Sequence, residues 1–205
     1  MINLIGENFF HPGITLLGTT AFLLFLAWEY ASLFGAGNII NSIFKSLSIT
    51  AGVAAHILVL TGSQFPRSLE ASLIGAVIIC LAGYLLYRSL IAELPRETYT
   101  SANEKPALRK TYQQGTYALV RHPALWWYGL FLTGLFIISG SKWLIISGTV
   151  WWLANLLLVV IEDIYLYPLM FKDYLSYKQK TPMLIPNRKS LSRCLETWSA
   201  KKTTH

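Results

Sequence analysis

This sequence has few charged residues and few cysteines, and each shortage excludes a class of protein. Charged residues make up 13% of the 205 positions and apolar residues 54%, whereas a soluble domain carries about 25% charged residues. An integral membrane protein is therefore expected. The two cysteines, Cys80 and Cys194, lie far apart and form no Cys-x-x-Cys pair, which argues against a disulfide framework and a zinc site. No bound metal is expected.

Acidic residues are also outnumbered, with 10 against 17 Lys and Arg, so the formal net charge is +7. Proteins that bind nucleic acid collect basic and aromatic residues on a soluble face. Here the basic residues border apolar runs instead. The expected partners are therefore membrane lipids with anionic headgroups, and nucleic acid is not expected.

The apolar runs predict an all-α, polytopic membrane protein with about five transmembrane helices. The runs cover roughly residues 14–33, 47–60, 69–90, 124–138 and 143–161, and about 20 helical residues cross a bilayer. The second run either begins at residue 47 or extends back to about Ile39. The fourth run is short and is expected to lie shallow. We expect one membrane domain over residues 1–205. Residues 1–90 would hold three spans, residues 91–186 two spans and an amphipathic interfacial helix, and residues 187–205 a basic, disordered tail.

The distribution of basic residues predicts the orientation of these helices. With five spans, every Lys and Arg except Arg67 and Lys142 falls on the same side of the membrane as the C-terminus. Because the cytoplasmic side carries the excess of Lys and Arg, the C-terminus is predicted to be cytoplasmic and the N-terminus outside.

The stretch from Gly115 to Tyr128 begins in a polar connection and enters the fourth run. Pro123 suits the first turn of a helix, and the aromatic residues that follow suit the headgroup level. A helix N-terminus attracts anions, so Arg121 and His122 beside it predict a cradle for a cofactor or substrate. The alternative is that both side chains only anchor the helix at the headgroups.

A pair of acids, Glu162 and Asp163, follows the fifth run. The short turn at residues 139–142 predicts an antiparallel hairpin, which brings Glu162 level with Arg121 and His122. Glu162 either closes this hairpin as a salt bridge or lines a polar pocket that is open to cytosol and lipid. The tyrosines that follow either line the same pocket or form the interfacial face of a helix; they are Tyr165, Tyr167, Tyr174 and Tyr177.

Both stretches resemble a known family. Gly115-x-Tyr117-x-x-x-Arg121-His122-Pro123 is similar to the Gly-x-Tyr…Arg-His-Pro signature of the isoprenylcysteine carboxyl methyltransferase and phospholipid methyltransferase group. A second signature of that group contains Glu-Glu, Leu, Phe-Gly, Tyr-x-x-Tyr and Ile-Pro. In this chain its register is occupied by Glu162, Asp163, Leu166, Met170, Phe171, Tyr174, Tyr177, Ile185 and Pro186. The resemblance covers about the last 80 residues before the tail, whereas the first three spans resemble the family only in hydropathy.

The resemblance implies an S-adenosylmethionine-dependent methyltransferase at the cytoplasmic membrane face. Its acceptor would be a lipophilic or membrane-associated amine, hydroxyl, thiol or carboxylate that enters from the bilayer. Arg121 and His122 would be catalytic, and Glu162 would hold the α-ammonium of the cofactor. The full set of implied cofactor contacts is Tyr117, His122, Pro123, Ala124, Leu125 and Glu162.

The chain departs from the family pattern at several positions. Asp163 replaces the second Glu of the signature, and Met170-Phe171 replaces Phe-Gly. Leu125 occupies a position at which the family usually has an aromatic residue. Leu158 occupies the position at which prenylcysteine enzymes carry an Arg for the substrate carboxylate. These departures favour a lipid amine, a hydroxyl or a small hydrophobic thiol as acceptor.

The sequence also allows two other functions. One is a sterol-reductase-like oxidoreductase, in which Arg109, Lys110 and Arg121 would meet the 2′-phosphate of NADPH. The other is a catalytically silent membrane scaffold that retains the hairpin, which the residues at positions 158 and 163 allow.

Overall fold

The computed structural model of the chain describes residues 2–61, 68–94 and 109–200, with side chains over residues 11–60, 68–94 and 109–197. Within the described residues the chain forms helices and no β-strand. The predicted turn at residues 62–66 and most of the polar connection over residues 92–114 lie outside the described ranges.

The helices follow the predicted apolar runs and extend beyond some of them. Two segments are π-helical; the first π-turn is Arg88–Ala92 and the second π-turn is Glu162–Leu166. The α-helices are α1 Ile2–Leu33, α2 Asn38–Thr61, α3 Leu69–Tyr87, α4 Thr116–Leu119, α5 Pro123–Ser139, α6 Lys142–Ile161, α7 Tyr167–Met170, α8 Tyr174–Lys180 and α9 Arg188–Ala200.

Helix length and composition agree with a membrane protein. Four helical segments are long and apolar enough to cross a bilayer: His11–Leu33, Asn38–Leu60, Leu69–Ala92 and Lys142–Met170. Pro123–Ser139 is a shorter apolar helix, as predicted for the fourth run. Large apolar side chains are exposed on these helices, with Val77 68% exposed, and such surface is stable in contact with lipid. The predicted all-α, polytopic fold is confirmed.

The chain divides into two compact units, and the first comprises Met1–Cys80 and Gly129–Leu158. In this unit α1 and α2 pack through small residues. The Ser48 hydroxyl donates to the Ala21 carbonyl at 2.9 Å, and a Cβ on Gly52 would lie 3.6 Å from the Ala21 Cβ. Trp151 is fully buried and fills the space beside Gly18. Small residues allow such close approach where no hydrophobic effect drives helix association.

The remaining helices of the first unit also meet at glycines. Gly140 has a φ of 61° and connects α5 to α6. A Cβ on Gly129 of α5 would lie 2.9 Å from the Trp152 Nε1 of α6, so these helices form the predicted antiparallel hairpin. A Cβ on Gly75 of α3 would lie 2.8 Å from the Gly134 carbonyl oxygen, which places the backbones of α3 and α5 in close contact.

The second unit comprises Leu81–Tyr128 and Val159–His205, and it contains both π-turns, α4 and α7–α9. The sequence predicted a disordered tail from residue 187, and this is wrong over Arg188–Ala200, which form α9. Asn187 caps α9, because its Oδ1 accepts from the Ser190 N–H at 2.8 Å and its own N–H donates to Ser190 Oγ at 3.0 Å. Ser190 and Cys194 are buried, so α9 is part of the packed unit.

Candidate active site

The two π-turns bring side chains five positions apart into contact. A π-helix is bonded from residue i to residue i+5 and is often found at functional sites. At the first π-turn, Arg88 Nη2 donates to Glu93 Oε1 at 2.7 Å. At the second, the Tyr167 hydroxyl donates to Glu162 Oε2 at 3.0 Å. Each π-turn therefore orients one buried carboxylate.

The Arg-His-Pro segment forms the entrance to α5. After α4, Val120 is extended, and the Arg121 N–H donates to the Pro182 carbonyl at 3.0 Å. The His122 N–H donates in the same way to Met183 at 3.3 Å. Pro123 then begins α5, as the sequence predicts. Residues 121–122 are thus held by backbone bonds to residues 182–183.

Arg121 pairs with Asp163 and not with Glu162. Its Nε and Nη2 donate to the two Asp163 carboxylate oxygens at 2.7 and 3.0 Å. The remaining nitrogen, Nη1, donates to the carbonyls of Thr181 and Lys178 at 2.5 and 3.3 Å. Both charged side chains are buried, and a bidentate, charge-assisted pair is among the strongest polar contacts in proteins. The sequence offered a salt bridge as one of two roles for Glu162, and the pair with Arg121 is formed by its neighbour Asp163.

Asp163 is the centre of a larger network. Its carboxylate also accepts from the Tyr174 hydroxyl at 2.6 Å and lies 2.9 Å from Lys178 Nζ and 3.3 Å from His122 Nε2. Burial and the Asp163 carboxylate together raise the pKa of Tyr174 well above its usual range. Tyr174 therefore stays protonated and keeps donating to Asp163. These contacts indicate that Asp163 stabilises the fold of the site.

Glu162 faces His122 and Tyr167. Its side chain is buried, and its Oε2 lies 3.8 Å from His122 Nδ1. The His122 ring stacks on the Tyr167 ring with centroids 5.6 Å apart and an interplanar angle of 12°. The structure thus brings together Glu162 and His122, as predicted, and gives the imidazole a carboxylate near each ring nitrogen.

The other predicted contacts lie along the same segment. The Tyr117 hydroxyl donates to the Ser89 carbonyl at 2.8 Å. Pro123 and Leu125 are almost fully buried, and Ala124 is half-buried. These last three residues form the first turn of α5, where backbone N–H groups point out of the helix end.

The tyrosine stripe is divided in the structure. Tyr174 and Tyr177 are buried, whereas Tyr165 is 65% exposed, so Tyr165 does not line a common pocket. The Tyr177 hydroxyl donates to the Tyr117 carbonyl at 2.6 Å, and burial raises the pKa of Tyr177 above its usual range. Tyr177 therefore remains a hydrogen-bond donor to the Gly-x-Tyr segment.

Sequence reasoning missed Glu93. This acid is buried at the end of the first π-turn and accepts from the Thr116 N–H and hydroxyl at 2.9 and 2.6 Å. The signal was present, because Glu93 follows an apolar run just as Glu162 does. Among the described residues, no group of three or more His, Cys, Asp or Glu is placed to bind a metal ion.

Part of the chain is similar to a known protein family. The phospholipid methyltransferase family matches residues 71–170, a range that contains Arg121, His122, Glu162 and Asp163. This match confirms the predicted resemblance and supports an integral membrane methyltransferase. The range stops before the Tyr-x-x-Tyr and Ile-Pro part of the second signature. No curated protein and no solved structure matches the chain.

Proposed function

Because residues 71–170 match the phospholipid methyltransferase family, we propose that this protein transfers a methyl group from S-adenosylmethionine to a lipophilic acceptor. The observation that carries the proposal is the division of roles between the two adjacent acids. Asp163 forms an ion pair with the guanidinium of Arg121, whereas Glu162 is buried beside His122 near the start of α5.

The residues near the start of α5 fit the charged ends of this cofactor. The Glu162 carboxylate suits the α-ammonium, since a charge-assisted hydrogen bond forms between them. The N-terminus of α5 suits the α-carboxylate, because the helix dipole and outward N–H groups bind anions there. We propose that Tyr117 and His122 contact the cofactor, together with the first turn of α5 at Pro123, Ala124 and Leu125.

Two polar atoms of the second unit add to this fit. Thr181 Oγ1 and Trp127 Nε1 are buried and have no hydrogen-bond partner among the described residues. Buried polar atoms in folded proteins nearly always have a partner. Thr181 also contributes the carbonyl that receives Arg121. A polar ligand or a water molecule could supply the hydrogen-bond partners of these two atoms.

When bound, S-adenosylmethionine supplies an electrophilic methyl group, and the tasks of the protein are alignment and the exclusion of water. The stack of His122 on Tyr167 and the two nearby carboxylates fix the imidazole plane. Pro123 and Leu125 form a buried apolar surface that excludes water at the start of α5. We assign Arg121 a positioning role, because all three guanidinium nitrogens are engaged by Asp163 and backbone carbonyls.

The acceptor is proposed to be a lipid amine, a hydroxyl or a small hydrophobic thiol that reaches the site from the bilayer. Leu158 supports this choice, since an apolar residue cannot pair with a substrate carboxylate. The charge distribution supports a cytoplasmic location, because all Lys and Arg except Arg67 and Lys142 fall on one predicted side.

Calorimetric titration of the detergent-solubilised protein tests the proposal. S-adenosylhomocysteine and NADPH are titrated separately into the wild type. Binding of the first alone is expected. Binding of NADPH alone would select the reductase, and the absence of both would favour the scaffold. The reductase alternative already lacks one expected phosphate ligand, because Arg121 is engaged by Asp163.

The Glu162→Gln variant tests the site itself. It keeps the size of the side chain and removes the charge, so affinity for S-adenosylhomocysteine should fall about ten- to a hundredfold, which corresponds to about 1.5–3 kcal/mol. Glu196→Gln is the matched control, because it removes the same charge from an exposed position on α9. Equal affinity in Glu162→Gln and Glu196→Gln would remove Glu162 from the site.

A further inference from the structure

A second buried acid holds the Gly-x-Tyr segment in place. Glu93 is 4% exposed and accepts three hydrogen bonds. Its Oε2 receives the Thr116 N–H at 2.9 Å and the Thr116 hydroxyl at 2.6 Å, while its Oε1 receives Arg88 at 2.7 Å. Since both carboxylate oxygens are engaged by these donors, Glu93 is placed to hold a turn rather than to take a proton from a substrate.

The glycine of the motif is required by its backbone conformation, and it lies against this acid. Gly115 has a φ of 58°, a conformation that favours glycine. A Cβ at this position would also lie 2.8 Å from Glu93 Oε2, which is closer than two such atoms can approach. On its other side, the Gly115 N–H donates to Thr197 Oγ1 at 3.1 Å. Gly115 is therefore enclosed between the Glu93 carboxylate and α9.

Tyr117 is also held by the first π-turn. Its hydroxyl donates to the carbonyl of Ser89 in the first π-turn at 2.8 Å, and its own carbonyl accepts from Tyr177 at 2.6 Å. Carbonyls in the last turn of a helix have no partner within the helix, so Ser89 can receive this bond. The turn at residues 115–117 is thus tied to the first π-turn at Glu93 and Ser89.

We propose that Glu93 is a positioning residue of the methyltransferase site. It fixes the turn at Gly115 and Thr116, and thereby sets where Tyr117 and the following Arg-His-Pro segment meet the cofactor. This inference rests on the proposed function. A carboxylate is needed because it only accepts hydrogen bonds. A glutamine would place its NH₂ group against Thr116 or Arg88, both of which are donors.

The test compares cofactor affinity with thermal stability in detergent-solubilised protein. Glu93→Gln is expected to weaken S-adenosylhomocysteine binding at least tenfold, measured well below the melting temperature. Glu70→Gln is the matched control, since Glu70 is an exposed acid in the first turn of α3, the helix that precedes the first π-turn. Thr116→Val removes one of the donors to Glu93 and should also weaken binding, whereas Thr116→Ser keeps both donors and should restore it.

Each outcome has a separate meaning. Wild-type affinity in Glu93→Gln would overturn the positioning role and leave the proposed function intact. If Glu93→Gln does not fold, the Thr116→Val and Thr116→Ser pair decides, and equal affinity in both would overturn the role. A wild type that does not bind S-adenosylhomocysteine would overturn the proposed function, and with it this inference.

Discussion

The Asp163→Asn substitution removes a single charge from the centre of a buried network. Asparagine keeps one acceptor oxygen but presents an NH₂ group to Arg121, which has only donors. The bidentate pair at 2.7 and 3.0 Å is lost, and the guanidinium remains buried without its counter-charge. Removal of one partner from a buried ion pair costs about 3–5 kcal/mol. The contribution of Lys178 is smaller, because its side chain is 31% exposed.

This loss of stability can be measured as a change in melting temperature. For a chain of this size, each 1 kcal/mol changes the melting temperature by about 2–4 °C, so Asp163→Asn should melt roughly 6–20 °C below the wild type. Glu162→Gln should melt close to the wild type, because Glu162 is contacted by a neutral phenol and a histidine ring rather than by Arg121. Both variants are measured in the same detergent without cofactor, with Glu196→Gln as the control for loss of a surface charge.

A double substitution separates charge from packing. In Arg121→Met with Asp163→Leu, neither side chain is left as an uncompensated buried charge. Replacement of a buried ion pair by apolar residues is often neutral or stabilising, so this variant should recover much of the stability that Asp163→Asn loses. If Asp163→Asn has the same melting temperature as Glu196→Gln, Asp163 does not hold the site together.

Two further predictions concern orientation and the C-terminal helix. After Cys80 and Cys194 are replaced, a cysteine at Lys142 should react with a membrane-impermeant thiol reagent added outside, and a cysteine at Gln179 should not; the reverse pattern would overturn the proposed orientation. In the otherwise native chain, Cys194 should react with a maleimide at neutral pH at least tenfold more slowly than a cysteine at Glu196, because burial raises the pKa of Cys194 and less thiolate is present at a given pH. Equal rates would show that α9 is not packed against the rest of the second unit.

The helices were predictable where the signal is local. Pro123 begins α5 and Leu69 begins α3 as expected, because proline geometry and hydropathy act within one or two turns. For α2 the sequence left the start open between residue 47 and the region of Ile39, and the helix begins at Asn38. Polar residues such as Lys45 interrupt an apolar run, but they do not interrupt the helix. Hydropathy marks the part of a helix that lies in lipid and underestimates its full length.

The prediction of a disordered tail followed the basic composition and overlooked a helix-capping pattern. The tail is rich in Lys and Arg, which resembles a solvated segment. Asn187 and Ser190 nevertheless have the spacing at which an N-cap and the third helical residue exchange hydrogen bonds, and they do so here. The buried Cys194 lies four positions after Ser190, on the same face of the helix.

The pairing within the site could not be predicted from spacing. On an ideal α-helix, successive residues point about 100° apart, which gave Glu162 and Asp163 different faces but not the partner of each. The second π-turn changes the angular spacing of side chains over Glu162–Leu166. No sequence pattern predicted this π-turn. It places Tyr167 against Glu162 through a contact five residues apart. Only the three-dimensional structure assigns Arg121 to Asp163.

This assignment explains how two adjacent acids can have different roles. A buried arginine must have a counter-charge before the chain can fold, and Asp163 provides it together with a hydrogen-bonded shell from Tyr174 and Lys178. That pair is internally neutral. Glu162, one residue earlier, is held instead by a phenol and faces an imidazole. We propose that Asp163 stabilises the site through this ion pair, whereas Glu162 binds the ammonium group of the ligand.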